Sequence, residues 1–207
     1  MIKAVIFDVD GVLIDSFKVN FECFQKIFKE IGYKRLTEKK FAEAFHLTLK
    51  DAVRFLTGVD DEEELERISK ITYKVFAAPE KTILPKDSVE IVKELSKDYK
   101  LGIVTGRIKV GVNEYFNAAK TKKYFQTAVD LSQYKNTKPH PESLLVAVKK
   151  LKIKPSEAIY IGDALTDIQA AKKAGMKSIL YSRKKIKGAD CKTYSFKSLP
   201  SLINKLN

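Results

Sequence analysis

Two carboxylates one residue apart lie near the start of the chain, directly before a glycine. Asp8 and Asp10 follow a short apolar run at residues 5–7, and Gly11 comes next. Such a run predicts a buried strand, and the glycine predicts a turn after it. Because side chains alternate along a strand, both aspartates would leave its end on the same side. Two carboxylates converging there suit Mg²⁺, and one of them would be free to attack an electrophile; an acidic turn without chemical function is the alternative.

Three further places in the chain carry residue types that fit the same chemistry. Each place lies at the end of a predicted strand or directly before a predicted helix. The residues are Thr105, Gly106, Arg107, Lys138, Asp163 and Asp167. In an open α/β sheet, ligands bind at the carboxyl ends of the strands, so these side chains are predicted to converge with the first two aspartates on one crevice. Singly, each has a structural alternative, such as a turn-capping threonine or a solvated surface lysine.

The elements that must position these residues change character along the chain. From residue 85 onwards, short β-branched runs alternate with helical patterns, which predicts an α/β fold with a doubly wound, mostly parallel sheet. The predicted strands after the first are residues 101–105, 127–131, 158–161 and 177–181. Residues 16–83 show helical periodicity and no strand pattern. We therefore expect a core domain of residues 1–15 and 84–207, with a small all-helical cap domain of residues 16–83 inserted into it.

Composition excludes several classes of protein. The 207 residues are 44% apolar and 31% charged, which is typical of a globular chain and not of a disordered one. No apolar run reaches the length of a membrane span, and the N-terminus does not resemble a signal peptide. The two cysteines, Cys23 and Cys191, are too few for a disulfide framework. These features predict a cytoplasmic protein without a membrane partner.

The formal net charge of +13 raises the question of nucleic-acid binding. The lysines are spread over nearly every predicted helix, and the densest basic group, residues 183–187, is short. A generally basic surface is therefore favoured over a nucleic-acid-binding module. Such a module would show steeply salt-dependent DNA binding that survives Asp8→Asn.

The ordered set of motifs resembles the haloacid dehalogenase-like hydrolase superfamily, in its phosphoglycolate phosphatase-like branch with a helical cap. Residues 8–16 (DVDGVLIDS) match the first motif of that family, Thr105 the second, Lys138 the third, and residues 162–167 (GDALTD) the fourth. The match spans essentially the whole chain, with the cap inserted after the first motif as in that branch. The resemblance implies a Rossmann-like core and phosphoryl-transfer chemistry.

The resemblance also implies roles for the acidic residues. Asp8 would attack phosphorus and form an aspartyl-phosphate. Asp10 would protonate the leaving group and then activate the hydrolytic water. Mg²⁺ would be held by the carboxylates of Asp8 and Asp163 and by the main-chain carbonyl of Asp10. Asp167 would support the metal or the motif lysine from behind.

Substrate phosphate is expected to meet residues from the second and third motifs. Thr105 would donate a hydrogen bond to a phosphoryl oxygen, and Lys138 would pair with the nucleophile and the phosphate. Close relatives usually carry Asn or Ser where this chain has Gly106, so only the N–H of Gly106 remains for the phosphate. Arg107 would clamp an anionic part of the substrate, with a solvated position at the start of a helix as the alternative.

Within the predicted cap, residues 46–50 (HLTLK) lie where this branch places its substrate-selecting loop. His46 and Lys50 would contact an anionic leaving group there, and a surface position is the alternative for each. A cap that closes over the phosphate would exclude water and favour small substrates.

The combined expectation is a Mg²⁺-dependent phosphatase, monomeric or homodimeric, that acts on small phosphorylated metabolites such as phosphoglycolate. A phosphosugar mutase resembling β-phosphoglucomutase and a pyrophosphatase are the alternatives within the superfamily. A binding or regulatory protein built on the phosphatase scaffold is a further alternative. The complete set Asp8, Asp10, Lys138 and Asp163 disfavours it, since a decayed site is expected to lose at least one of them.

Overall fold

The computed structural model describes residues 1–76 and 82–207. Packing divides the chain into two compact units: the core unit, residues 1–15 and 83–207, and the cap unit, residues 16–82. Residues 77–81, which fall in the predicted cap, lie outside the described residues. The chain leaves the core unit at Asp15 and returns at Ile83, and there the Asp15 N–H donates to the Ile83 carbonyl with an N···O distance of 2.9 Å.

The core unit is built on one parallel sheet. Its described strands are β1 (Ala4–Phe7), β2 (Lys100–Val104), β3 (Phe125–Val129), β4 (Ala158–Gly162), β5 (Lys177–Tyr181) and β6 (Cys191–Thr193). They pair in the order β3-β2-β1-β4-β5-β6, and every pair is parallel. Strand β1 is central: Phe7 aligns with Ile103 of β2 on one side and with Ile161 of β4 on the other. The predicted α/β class is confirmed.

Helices cover both faces of this sheet. The described helices of the core unit are α5 (Ser88–Leu95), α6 (Lys109–Ala119), α7 (Glu142–Leu151), α8 (Leu165–Ala174) and α9 (Leu199–Leu206). Val5 and Phe7 of β1 pack into a cluster with α5, α6 and α9, whereas Ala4 and Ile6 pack into a second cluster with α7 and α8. Since successive strand side chains point to opposite faces, β1 is buried on both sides and only its end is available for polar residues.

The two edge strands of the sheet differ from the sequence prediction. Strand β3 ends at Val129, two residues before the predicted end, because Asp130 turns the chain: its Oδ1 accepts the N–H and the hydroxyl of Ser132 at 2.9 and 2.6 Å. Strand β6 was not predicted, because Cys-Lys-Thr has no apolar alternation and extends the sheet only through its pairing with β5.

The cap unit contains helices and no strand within residues 16–76. Its helices are α1 (Phe17–Glu30), α2 (Glu38–Ala44), α3 (Leu49–Thr57) and α4 (Glu62–Phe76). The aromatic stripe of α1 packs against Phe41 of α2, whose ring centroid lies 5.3, 5.5 and 5.4 Å from those of Phe17, Phe21 and Phe24. No described helix of either unit has the length and apolarity needed to cross a bilayer.

Candidate active site

Three neighbouring strands of the core unit carry motif residues at their carboxyl ends. Asp8 follows β1, Thr105 follows β2, and Asp163 follows β4. Because β1 lies between β2 and β4, these residues meet at one edge of the sheet. Lys138 reaches the same place from the segment between β3 and α7, where its peptide bond to Pro139 is cis. The structure thus brings together one residue from each of the four motifs.

Lys138 forms ion pairs with two of the aspartates. Its Nζ lies 2.9 Å from Asp8 Oδ2 and 2.6 Å from Asp167 Oδ1. The three side chains are 13%, 10% and 2% exposed, so solvent screens these pairs little. Lys138 therefore holds both carboxylates in place and offsets part of their negative charge.

Asp167 also fixes the loop between β4 and α8. Its Oδ2 accepts the N–H of Asp163 at 3.1 Å and that of Ala164 at 3.0 Å. The close approach requires glycine at the end of β4, since a Cβ on Gly162 would lie 2.4 Å from the Cβ of Asp167. Asp167 is thus positioned behind Asp163 and beside Lys138, where it orients both.

The turn after β1 brings its glycine against Asp163. Gly11 has a φ of +71°, and a Cβ on it would lie 2.0 Å from Asp163 Oδ2. The turn is closed by the N–H groups of Leu13 and Ile14, which donate to the Val9 carbonyl at 2.9 and 2.8 Å. Any side chain at position 11 would strain the backbone and displace the Asp163 carboxylate.

Three carboxylates of the core unit are close enough together to share a divalent cation. Asp8, Asp163 and Asp167 each place one oxygen within 4.8 Å of the others. Asp10 belongs to the same site, where Arg107 pairs with Asp10 and Lys138 pairs with Asp8 and Asp167. Charged oxygen donors with excess negative charge are the preferred environment of hard cations such as Mg²⁺. The donor set therefore fits a divalent metal.

Burial and like charge also perturb the acidic groups. Burial raises the pKa of Asp8 to about 7, because the carboxylates of Asp167 and Asp10 add to the effect and Lys138 only partly opposes it. Burial likewise raises the pKa of Asp163, with Asp167 and Asp8 adding to the shift. For Lys138, burial lowers the pKa, but Asp167 and Asp8 outweigh it, so the net pKa lies well above the usual value. A cation bound here would relieve the repulsion that these shifts report.

Arg107 lies in the loop after β2 and contacts carboxylates of the core unit. Its Nε and Nη2 donate to Asp10 Oδ2 and Oδ1 at 2.8 and 2.7 Å, and its Nη1 donates to Glu114 Oε2 of α6 at 3.1 Å. Sequence reasoning offered a substrate contact or a solvated side chain for this arginine, and it missed both ion pairs. Glu114 belongs to no sequence motif, and only its location on the predicted helix after Arg107 could have indicated a contact with that arginine.

The threonine and the glycine of the second motif are placed beside this arginine. Thr105 is fully buried; its Oγ1 accepts the Arg107 N–H at 3.1 Å, and its carbonyl accepts the hydroxyl of Tyr134 at 3.0 Å. The hydroxyl hydrogen of Thr105 is left to donate to a ligand, since no described residue receives it. Gly106 has open space around its Cα, so its main chain is accessible.

Tyr160 is a site residue that sequence reasoning missed. It lies on β4, fully buried, and its hydroxyl accepts a hydrogen bond from Lys138 Nζ at 3.0 Å. The same hydroxyl lies 3.3 Å from the Val104 carbonyl, to which it donates. An aromatic residue in a buried strand is ordinarily core, so nothing in the sequence separated Tyr160 from its neighbours.

His46 and Lys50 belong to the cap unit. The ring of His46 lies 5.1 Å from that of Phe45, at an interplanar angle of 72°. Lys50 lies in α3, and its ammonium forms an ion pair with Glu62 of α4. The prediction that these two residues contact the substrate stays a prediction.

Comparisons with known proteins identify relatives of the chain. A family model described as haloacid dehalogenase-like hydrolase matches residues 5–181. The chain is 31% identical over 183 residues to the pyrophosphatase PpaX of Anoxybacillus flavithermus, covering 86% of this chain and 82% of the relative. It is 28% identical over 183 residues to a phosphorylated carbohydrates phosphatase of Thermotoga maritima, covering 86% of this chain and 83% of the relative.

Among solved structures, a haloacid dehalogenase-like hydrolase from Bacteroides fragilis superposes with a TM-score of 0.90 at 24% identity. The superposition covers 96% of this chain and 100% of that one, so the two share a fold. Since the family model spans most of the sequence and the fold matches throughout, the chain belongs to the haloacid dehalogenase-like hydrolase family.

Proposed function

We propose that this protein is a Mg²⁺-dependent phosphatase that hydrolyses small phosphate monoesters through an aspartyl-phosphate on Asp8. One observation carries the proposal: Asp8, Lys138 and Asp163, from three separate motifs, lie in one cluster, and its carboxylate oxygens are close enough together to share a divalent cation. Phosphoryl transfer needs a nucleophile, charge neutralisation and a proton for the leaving oxygen. The cluster supplies candidates for all three.

The metal would be held by the carboxylates of Asp8 and Asp163 and by the main-chain carbonyl of Asp10. Bound there, Mg²⁺ would offset the repulsion between the carboxylate nucleophile and the phosphoryl oxygens. Lys138 adds a fixed positive charge at the nucleophile, since its Nζ already contacts Asp8 Oδ2. Asp167 keeps this lysine and the Asp163 loop in place.

The reaction then has two balanced steps. In the first, a carboxylate oxygen of Asp8 forms a bond to phosphorus, the bond from phosphorus to the ester oxygen breaks, and Asp10 gives its proton to the leaving oxygen. In the second, Asp10 takes a proton from water, whose oxygen attacks phosphorus and releases orthophosphate from Asp8. Thr105 and the Gly106 N–H would donate hydrogen bonds to the phosphoryl oxygens during both steps.

A helical cap unit that closes over the site would favour small substrates, because a lid restricts access by large phosphoproteins. His46 and Lys50 remain the proposed cap residues for an anionic leaving group. Phosphoglycolate and phosphorylated sugars are therefore the first substrates to test. The relative from Thermotoga maritima, a phosphorylated carbohydrates phosphatase by name, supports including the sugars.

Pyrophosphate hydrolysis is the second candidate, because PpaX is 31% identical to this chain over most of its length. The same nucleophile and metal would act on a phosphoanhydride, whose leaving group needs no proton. A mutase outcome is distinguished by isomerised sugar phosphate without free phosphate.

The test is release of orthophosphate from a panel of phosphorylated metabolites and pyrophosphate, with Mg²⁺ and with a chelator. We expect Mg²⁺-dependent release that Asp8→Asn lowers by about 10³-fold or more, since an amide is a poor nucleophile. Asp98→Asn, at an exposed aspartate, is the matched control and should retain wild-type rates. Equal turnover by Asp8→Asn and the wild type would disprove the nucleophile assignment.

A further inference from the structure

Arg107 grips the carboxylate of Asp10 with two parallel hydrogen bonds. The Nε···Oδ2 and Nη2···Oδ1 distances are 2.8 and 2.7 Å, so each carboxylate oxygen accepts one N–H. The two side chains are 19% and 28% exposed. A planar guanidinium bound in this way fixes the rotation of the carboxylate as well as its position, which a lysine ammonium does not.

Arg107 is itself held by its main chain. Its N–H donates to Thr105 Oγ1 at 3.1 Å, and its carbonyl accepts the Leu131 N–H at 2.9 Å. These bonds tie it to the ends of β2 and β3. The backbone of Arg107 is therefore fixed relative to the sheet, and this sets the distance that its side chain must span to Asp10.

Helix α6 holds the rest of the side chain. Glu114 accepts a hydrogen bond from Nη1 at 3.1 Å and is 16% exposed. Gly111, one turn earlier, leaves room for the arginine stem, because a Cβ there would lie 2.8 Å from Arg107 Cδ and 3.2 Å from its Cβ. Glycine inside a helix is destabilising relative to alanine, so its presence at this contact is consistent with a need for space.

We propose that Arg107 is a positioning residue, held by Glu114 and by the space at Gly111, that orients the carboxylate of Asp10 towards the leaving oxygen of the substrate. The inference rests on the proposed function, because Asp10 has the proton-transfer role only in that reaction. Arg107 then acts through Asp10 and does not bind the substrate. A displacement of about 1 Å in a catalytic group can cost roughly 10²-fold in rate. Arg107 can therefore affect the rate strongly by fixing the orientation of Asp10 alone.

The leaving group provides the first test. An alkyl phosphate needs a proton on its departing oxygen, whereas p-nitrophenyl phosphate departs as a stable phenolate. We expect Arg107→Ala to lower kcat/KM for the alkyl ester by about 10²-fold and for the aryl ester by less than about 10-fold. A rise in KM of equal size for both esters would overturn the proposal, because that pattern indicates a direct substrate contact.

A double-mutant cycle provides the second test. The burst of p-nitrophenolate measures formation of the aspartyl-phosphate even when its hydrolysis is blocked. If Arg107 acts only through Asp10, then Arg107→Ala should cause no further loss of burst rate in an Asp10→Asn background. A further loss of about 10-fold or more there would show that Arg107 touches the substrate independently, and would overturn the inference.

Three variants separate positioning from folding. Gly111→Ala keeps the arginine but displaces its aliphatic stem. Arg107→Lys keeps the positive charge but cannot make two parallel hydrogen bonds to Asp10. Both variants should show a smaller loss with the same dependence on the leaving group. Arg183→Ala is the control, since this arginine of the core unit lies over the Tyr194 ring at 4.6 Å and should leave both rates unchanged. Wild-type rates in both Gly111→Ala and Arg107→Lys would overturn the inference.

Failure of the inference can be told from failure of the proposed function. A wild-type protein that releases no phosphate from either ester with Mg²⁺ contradicts the proposed function itself. A wild type that hydrolyses both esters, with Arg107 variants that lose activity equally on both, contradicts the positioning role alone.

Discussion

The half-buried ammonium of Lys138 depends on acceptors outside the sequence motif that contains it. Two are the carboxylates of Asp8 and Asp167, which the family resemblance implied. The third is the hydroxyl of Tyr160, which the sequence alone could not identify because strand aromatics are mostly core. The motifs therefore predicted the charged partners of Lys138, and only the packing of β4 revealed the neutral one.

Removing that hydroxyl should weaken catalysis without disturbing the core. We expect Tyr160→Phe to lower kcat by about 10-fold and the free energy of unfolding by about 1 kcal/mol, since Lys138 loses one buried acceptor while the ring stays in place. Steady-state kinetics and urea unfolding measure the two effects. The control is Tyr99→Phe, which removes a hydroxyl bonded to Asn204 away from the site and should leave kcat unchanged. Unchanged kcat in Tyr160→Phe would contradict this role.

Metal binding should stabilise the protein in a pH-dependent manner. In the metal-free protein the pKa of Asp8 is raised from 3.8 to about 7, so the folded state holds this proton more tightly than the unfolded state. Protonation of Asp8 therefore contributes fully to the free energy of unfolding below pH 3.8, and this contribution is lost as pH rises through about 7. Mg²⁺ competes with that proton, so we expect a larger rise in Tm on adding Mg²⁺ at pH 8 than at pH 5.

Thermal unfolding with Mg²⁺ and with a chelator at both pH values measures this effect. Asp163→Asn should lose the Mg²⁺-dependent rise, and Asp98→Asn should keep it. A rise of the same size at pH 5 and pH 8 would contradict the linkage to Asp8. Retention of the full rise in Asp163→Asn would show that the metal lies elsewhere.

Among the elements, apolar patterning predicted the described strands that contain an apolar run and missed β6, which has none. Strand β1 has four buried apolar residues in a row, so it can be recognised from the sequence without knowing which strands pair with it. Strand β6 is defined only by its pairing with β5, and its residues are exposed or half-buried. The end of β3 depended on a hydrogen bond from Ser132 to the Asp130 side chain, which no apolar pattern records.

Gly162, at the end of β4, is the residue that allows Asp167 to approach the loop. Gly162→Ala should push the Asp167 side chain away from the loop, because the new Cβ would lie 2.4 Å from its Cβ. We expect kcat to fall by about 10²-fold, since Lys138 and Asp163 lose their common support. Gly32→Ala, in the cap unit, is the control: its φ of +76° makes alanine cost about 1 kcal/mol of stability, with kcat unchanged.

Stability measurements separate the two variants. If both lose similar stability and only Gly162→Ala loses activity, the effect belongs to the site. Full activity in Gly162→Ala would show that the loop adapts to the extra methyl group and that Asp167 does not need its present position.

At the scale of the whole molecule, the net charge of +13 should attract anionic substrates. Screening lengths shorten to about 10 Å at 0.1 M salt, so we expect kcat/KM for a phosphate ester to fall several-fold between about 20 and 200 mM NaCl at saturating Mg²⁺. The value of kcat should stay constant, because the bound state is screened less. Steady-state kinetics across this range measures both, with sucrose at equal osmolality as the control.

A kcat/KM that does not change with salt would contradict substrate steering by the overall charge. A nucleic-acid role would instead give DNA binding that weakens steeply with salt and persists in Asp8→Asn. The two outcomes distinguish a basic enzyme surface from a basic nucleic-acid-binding module. The even spread of lysines along the sequence favours the basic enzyme surface.

The hydrogen bond between Asp15 and Ile83 has a consequence for engineering. The core unit closes on itself at this junction, with donor and acceptor only 2.9 Å apart, so the intervening segment is attached like a cassette between two adjoining ends. Segments of other lengths can be grafted there as long as they start and finish side by side. If the cap unit selects the substrate, as proposed, we expect libraries that exchange residues 16–82 and keep the carboxylates to change selectivity.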